Sequence, residues 1–405
     1  MQSKQENRAL SLALVPILIT CCSIAVFTSN ASSTGLRSQG YVAQSTAAAQ
    51  AKPLPAPARW LGLIGEYGPD DGILIILEKD GKLWASFKRA EPEPLDEITR
   101  NVFKFLSPGP NALQQLIFER NRGARATQVA VDAVILKRRR IEPESGNQLR
   151  VRPLRPVPEL MKEARAAQPP PEDGEFRRSD LVELTKLDPT IRLEIRYATT
   201  NNFLGMVFYS QAGAFMQRPA AEAVVRANRR LKALGYGLLV HDAYRPWYVT
   251  KVFWDATPDD KKVFVADPSK GSRHNRGCAV DLTLYDLKTK RPIEMVSTYD
   301  ETTDRAYPDY PGGTSLQRWH RELLRRAMES AGFTVYEAEW WHFDYKDWQK
   351  YPIMNARFES IGAGVGRAIH SHSHPVSTGW TRRREFSLTV STVSPSHPRT
   401  HEENR

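Results

Sequence analysis

Ser272-Arg273-His274-Asn275-Arg276-Gly277-Cys278-Ala279-Val280-Asp281 is the stretch on which the reading of this chain turns. His274 and Asp281 stand seven residues apart, so on one straight strand they would face opposite sides. Asn275-Arg276-Gly277 is a turn signal, and a turn lets both side chains point at one ion. Beyond it Cys278, Val280, Leu282 and Leu284 alternate with Ala279, Asp281, Thr283 and Tyr285. Asp281 therefore sits on one face of a strand whose other face is apolar. A lone carboxylate in that position needs a partner, and a cation is the natural one. Downstream, Glu339-Trp340-Trp341-His342 supplies a second imidazole and a second carboxylate, three residues apart. A bulge or strand end near Trp340-Trp341 would turn them the same way; spacing alone leaves their convergence open. Two imidazoles and a carboxylate as ligands, with one carboxylate to spare, make up the inventory of a catalytic zinc site. Each piece by itself has a plainer explanation: a structural histidine at a glycine turn, a strand-capping aspartate, an aromatic core edge. The combination carries the weight.

Working outward, residues 179–358 read as the catalytic domain. Ile191 to Tyr197 alternates like a strand. Pro219 opens a helix and Gly235 closes it, with Val224, Val225, Leu231 and Leu234 as the buried side. Tyr236 to Val240 is a short apolar strand that delivers His241-Asp242-Ala243-Tyr244-Arg245-Pro246. Leu316, Trp319, Leu323, Leu324 and Met328 recur at helical spacing up to Gly332, and Phe333 to Tyr345 is a further strand. Interspersed helices and strands predict an α+β fold, a small, mostly antiparallel sheet with helices. Upstream, residues 58–140 predict a small all-β domain. Ile73-Leu74-Ile75-Ile76-Leu77 and Leu83-Trp84-Ala85-Ser86-Phe87 flank Asp80-Gly81, a hairpin signal. Residues 32–57 and the Pro-rich 141–178 read as linkers, and 359–405 as a disordered tail whose alternating His370, His372 and His374 form a chance cluster.

The first residues resemble a secretory signal, 1–31. Lys4 and Arg8 precede an apolar run from Ala9 to Phe27, and small residues follow. Cleavage and export to the periplasm are the expectation; an uncleaved anchor and lipidation at Cys21 rank behind it. Removal of the signal leaves Cys278 alone among three cysteines, so the fold has no intramolecular disulfide to rest on. Within 405 residues the net charge is +11, and the runs Lys137-Arg138-Arg139-Arg140 and Arg382-Arg383-Arg384 contribute to it. Neither run is interleaved with aromatics, which argues against nucleic acid; they read as solvated basic faces with at most a weak attraction to an anionic envelope. No stable protein partner is expected.

Ser272-x-His274-x-x-Gly277-x-Ala279-x-Asp281, followed by Glu339-x-Trp341-His342, resembles the zinc D-alanyl-D-alanine dipeptidases of the vancomycin-resistance type, and more broadly the zinc D-Ala-D-Ala carboxypeptidases. Asp242-x-Tyr244-Arg245-Pro246 and Tyr197-Ala198-Thr199-x-Asn201-Asn202-Phe203 favour the dipeptidases. The resemblance implies one zinc ion held by His274, Asp281 and His342, with Glu339 as general base and Arg245 stabilising the oxyanion. It implies that Tyr197 and Asp300 receive the ammonium of a D-Ala-D-Ala dipeptide during cell-wall peptide turnover. Val296 stands where a glycine is common in the family. Two alternatives stay open: a carboxypeptidase acting on wall peptides, and a non-catalytic wall-binding protein that uses the β domain.

Overall fold

Ile73-Leu74-Ile75-Ile76-Leu77 shows no polar alternation, so the strand it builds has two faces to bury. In the computed structural model, which describes residues 51–87, 90–106, 109–140 and 150–361, it does so. The strands β1 (Gly65–Tyr67), β2 (Leu74–Lys79), β3 (Lys82–Phe87), β4 (Glu93–Thr99), β5 (Val102–Phe105), β6 (Gln115–Arg120), β7 (Ala126–Val131) and β8 (Val134–Lys137) form an antiparallel meander in chain order. Asp80 and Gly81 close the β2–β3 hairpin with φ of 52° and 73°, the paired positive values that a two-residue turn demands. The last strand returns to the first. Tyr67 bridges Arg138, and Gly68 N donates to Lys137 O at 2.8 Å. These contacts join the two ends of the meander into a barrel at this seam. Leu74 and Ile76 point into the barrel core beside Phe103, Phe105 and Phe118. Ile75 and Leu77, on the other face of β2, join the larger core of the downstream domain.

Closure changes the reading of the basic run. Arg138 donates to Ile64 O at 2.6 Å and to the Tyr67 hydroxyl at 2.8 Å. Arg139 pairs with Glu66 at 3.2 Å and Asp70 at 2.6 Å. Both are half-buried staples of the barrel seam rather than solvated face.

The expected linker 141–178 also needs correction. Within it lies α1 (Val157–Ala166), whose Val157, Leu160 and Ala164 are buried in the larger hydrophobic core. Proline-rich flanks conceal a helical stripe there. Arg276 and Glu172 form an ion pair that fastens the stretch after the helix.

Next come β9 (Leu181–Glu183), β10 (Arg192–Leu193), β11 (Phe215–Gln217), α2 (Arg218–Lys232), β12 (Tyr236–Asp242), α3 (Trp247–Ala256), β13 (Ala279–Asp286), α4 (Ser315–Glu329), β14 (Phe333–Tyr336) and β15 (Glu339–Tyr345). The main sheet runs β10-β12-β13-β15-β14; β10 is parallel to β12 and the other neighbours are antiparallel. The α+β architecture matches expectation. Helix α2 has its proline in the first turn, and α4 opens with a capping box between Thr314 and Gln317. Two strands differ from expectation. The one expected over Ile191 to Tyr197 shrinks to two residues and gives way to a 3-10 turn, Arg196–Ala198. The one expected over Phe333 to Tyr345 is a hairpin, because the chain reverses between Tyr336 and Glu339 without a glycine or proline to mark the turn. The signal, most of the first linker, Arg382–Arg384, the three tail histidines and the tail beyond residue 361 lie outside the described residues.

His320 on α4 is buried, with Nε2 2.9 Å from the Tyr236 hydroxyl. Burial pushes its pKa down to about 4, and Lys52 adds to the effect. A group depressed in the folded state costs stability once the unfolded chain begins to take up protons. The share of stability that depends on His320 should be full above pH 6.5 and fall as pH drops from 6.5 toward 4. Denaturant midpoints across that range should decline less steeply in His320→Gln.

Candidate metal centre

Antiparallel pairing of β13 with β15 sets Asp281 directly across from His342. Opposed residues share one face of a sheet, so the two side chains converge. His274 arrives from the 3-10 turn His274–Arg276, which ends at Gly277 with φ of 67°. The positive φ calls for glycine here, and a Cβ at Gly277 would also crowd Leu181 Cδ2 at 2.6 Å and Gln217 N at 3.3 Å. His274 Nε2 lies 3.2 Å from Asp281 Oδ1, and His342 Nδ1 lies 3.0 Å from the same oxygen. The two ring nitrogens are 3.1 Å apart. The turn and the long-range pairing thus bring together the three expected ligands, all buried.

Hydrogen bonding at the far side of each ring fixes what these atoms offer. His274 Nδ1 lies 2.6 Å from Ala243 O, and a carbonyl only accepts, so this nitrogen carries the proton. His342 Nε2 lies 2.9 Å from Asp344 Oδ1, which makes it the donor to a carboxylate. Burial opposes it, yet Asp344 and Asp281 hold the His342 pKa well above its ordinary value, so without a metal a proton lies between His342 and Asp281. With both rings neutral, as metal ligands must be, lone pairs of His274 Nε2 and His342 Nδ1 face Asp281 Oδ1. Three buried lone pairs pointing at one another repel, and a cation between them removes the conflict.

A bulge turns Glu339 toward the same space. Val335 pairs with Phe343, yet the next residue, Tyr336, pairs with Glu339. Glu339 Oε2 stands 3.8 Å from His342 Nδ1. Burial pushes the Glu339 pKa up to about 8; His342 opposes this, and Asp281 and Asp300 reinforce it.

Arg245 follows the end of β12. Its Nε and Nη2 contact Asp242 Oδ2 at 2.9 and 2.8 Å, and Nη2 stands 3.7 Å from Asp281 Oδ2. The guanidinium lies 5.2 Å from the Tyr197 ring centre and 5.0 Å from that of Phe253, a flat apolar seat for a delocalised cation. The Tyr197 hydroxyl donates to Asp300 Oδ2 at 2.8 Å. Asp300 has φ of 55°. Burial pushes its pKa up to about 7, and Asp281 adds to the rise.

All seven sequence-derived residues line one cavity that opens to solvent. Its wall includes Phe203, Phe253, Phe264, Tyr336 and Trp341. Sequence reasoning gave no role to four neighbours. Asp242 holds Arg245 and also accepts from the Tyr209 hydroxyl at 2.8 Å. Asp344 orients His342, and its position two residues on, hence on the same strand face, was a signal available in advance. The Tyr299 hydroxyl donates to Asp281 Oδ2 at 2.9 Å, next in sequence to Asp300. Ala243 contributes only its carbonyl, which no side-chain pattern discloses.

Residues 177–361 match the model of a family described as D-ala-D-ala dipeptidase. The D-alanyl-D-alanine dipeptidase of Escherichia coli is 32% identical over 180 residues, a span covering 44% of this chain and 92% of that protein. The protein of the same name from Enterococcus faecalis is 34% identical, over 40% of this chain and 89% of that one. The one from Streptomyces coelicolor is 31% identical, over 42% of this chain and 92% of that one. In each case the span aligned is less than half of this chain.

Proposed function

The chain belongs to the D-ala-D-ala dipeptidase family, and from that premise we propose that it is a zinc metallopeptidase hydrolysing the D-Ala-D-Ala dipeptide to free D-alanine in cell-wall peptide turnover. The observation that carries this reading is the convergence of His274 Nε2, His342 Nδ1 and Asp281 Oδ1 within 3.0 to 3.2 Å of one another. Ligand atoms about 2.0–2.1 Å from a tetrahedral zinc stand roughly 3.3 Å apart, so this donor set fits the ion in both spacing and chemistry. His274, Asp281 and His342 would hold one zinc per catalytic domain. The chemistry such an ion supplies when bound is to lower the pKa of water to about 7 and to polarise a carbonyl.

The chain's own residues do the rest. Glu339 accepts the proton of the attacking water and returns it to the leaving amine. Its half-buried carboxylate is pushed up to about 8, a raised pKa that suits a group that must take and give a proton in one cycle. Arg245, held in place by Asp242, faces the negative charge that grows on the carbonyl oxygen. Asp300, with Tyr197 beside it, receives the substrate's ammonium. Export to the periplasm, expected from the first residues, would place the enzyme beside wall-derived peptides.

Comparing D-Ala-D-Ala with its N-acetylated form and with a wall pentapeptide tests the reading. Selective turnover of the free dipeptide is expected. Equal or faster cleavage of the pentapeptide would favour the carboxypeptidase alternative. Binding to wall material without any hydrolysis would favour the silent one. Asp344→Ala should weaken zinc binding by about 10–100-fold, read by competition with a chelator, because His342 loses the carboxylate that orients it.

A further inference from the structure

The barrel lies outside the residues that match the family, yet it grips the loop that carries Tyr299 and Asp300. This loop leaves β13, passes through a 3-10 turn at Asp304–Ala306 and enters helix α4 at Ser315. Near its end the Tyr310 hydroxyl donates to Oε1 of Glu66 on β1 at 2.7 Å. Leu77 of β2 bridges Gly313, and Glu78 N donates to Gly313 O at 3.0 Å. Glu78 Oε2 accepts from Ser315 N at 2.8 Å, and Glu78 O accepts from Arg318 Nη2 at 2.6 Å. Glu66 and Glu78 are only 6% and 2% exposed. Burial of two carboxylates at a domain junction is costly unless their hydrogen bonds are made, so these contacts fix the loop's seat sharply.

From that seat the loop is braced internally as far as the cavity. Arg305 Nη2 donates to Val296 O at 2.7 Å, which ties the span across its base. Glu301, fully buried, accepts from Thr303 Oγ1 at 2.6 Å and pairs with Arg305 at 3.4 Å. Between these ties Asp300 sits at φ of 55°, a conformation that a non-glycine residue keeps only where its surroundings over-determine it.

We propose that the barrel is a positioning element for substrate recognition: by Glu66–Tyr310 and Glu78–Ser315 it sets where Asp300 stands in the cavity. This rests on the reading of Asp300 as the receiver of the substrate's ammonium. Glu66, Glu78 and Tyr310 do not line the metal-site cavity, so they act through Asp300 as positioning residues.

The test is a double-mutant cycle in the full, zinc-loaded chain with D-Ala-D-Ala as substrate. Tyr310→Phe deletes only the hydroxyl given to Glu66. It should raise KM about tenfold, with kcat within about twofold and zinc content unchanged. Glu66→Gln, which keeps an acceptor, should have a smaller effect than Glu66→Ala. In an Asp300→Asn background, Tyr310→Phe should add little further to KM. An unchanged KM in Tyr310→Phe overturns the proposal, as does an effect that adds undiminished to that of Asp300→Asn. If Asp300→Asn by itself leaves KM unaltered, the ammonium assignment fails first and the proposal falls with it.

Discussion

Alanine at Glu339 is expected to lower turnover of D-Ala-D-Ala about a thousandfold while leaving the bound metal in place. Glu339 is not among the three converging ligand atoms, so its removal spares the cation site. Its Oε2 stands 3.8 Å from His342 Nδ1, beside the ligand atoms without being one of them. The pH profile carries the same signature. In the proposed mechanism Glu339 and Asp300 work as anions, and burial pushes them up to about 8 and about 7. Both lose charge as pH falls, so kcat/KM should drop on the acid side, and the limb seen in kcat belongs to Glu339. A bound dication pulls Glu339 below its metal-free value, so that limb should lie below pH 8. Retained turnover in metal-loaded Glu339→Ala would remove Glu339 from the mechanism.

His274→Ala should show the second large effect, loss of the metal itself and of hydrolysis with it. Loss of an outer partner typically costs about 10–100-fold in metal affinity, and loss of a ligand from a set of three should cost more. Elemental analysis after gel filtration reads this directly. Full occupancy in the variant would count against His274 as a ligand.

Much of the centre was legible in the sequence because its parts are local. The Asn275-Arg276-Gly277 turn announces that His274 and Asp281 face one way, and Asp80-Gly81 announces a hairpin. What stayed hidden depends on residues distant in the chain. Nothing local specifies that Asp281 stands opposite His342, since register between separated strands is set by the whole sheet. The barrel seam was misread for a related reason. Arg138 and Arg139 look like surface charge until β8 returns to β1 and gives them carbonyls and Glu66 to bind. Helix α1 was masked by its proline-rich flanks, and Ala164 is a weak signal of burial. Asp242 and Tyr299 were within view as residues, but their work is done on Arg245 and Asp281, partners that only folding supplies.

The most direct measurement is zinc stoichiometry paired with D-Ala-D-Ala hydrolysis before chelation, after it, and after zinc is returned. One equivalent of zinc per chain, activity lost with the metal and regained with it, is the expected result. Undiminished hydrolysis by metal-free protein would contradict a metal centre built from His274, Asp281 and His342.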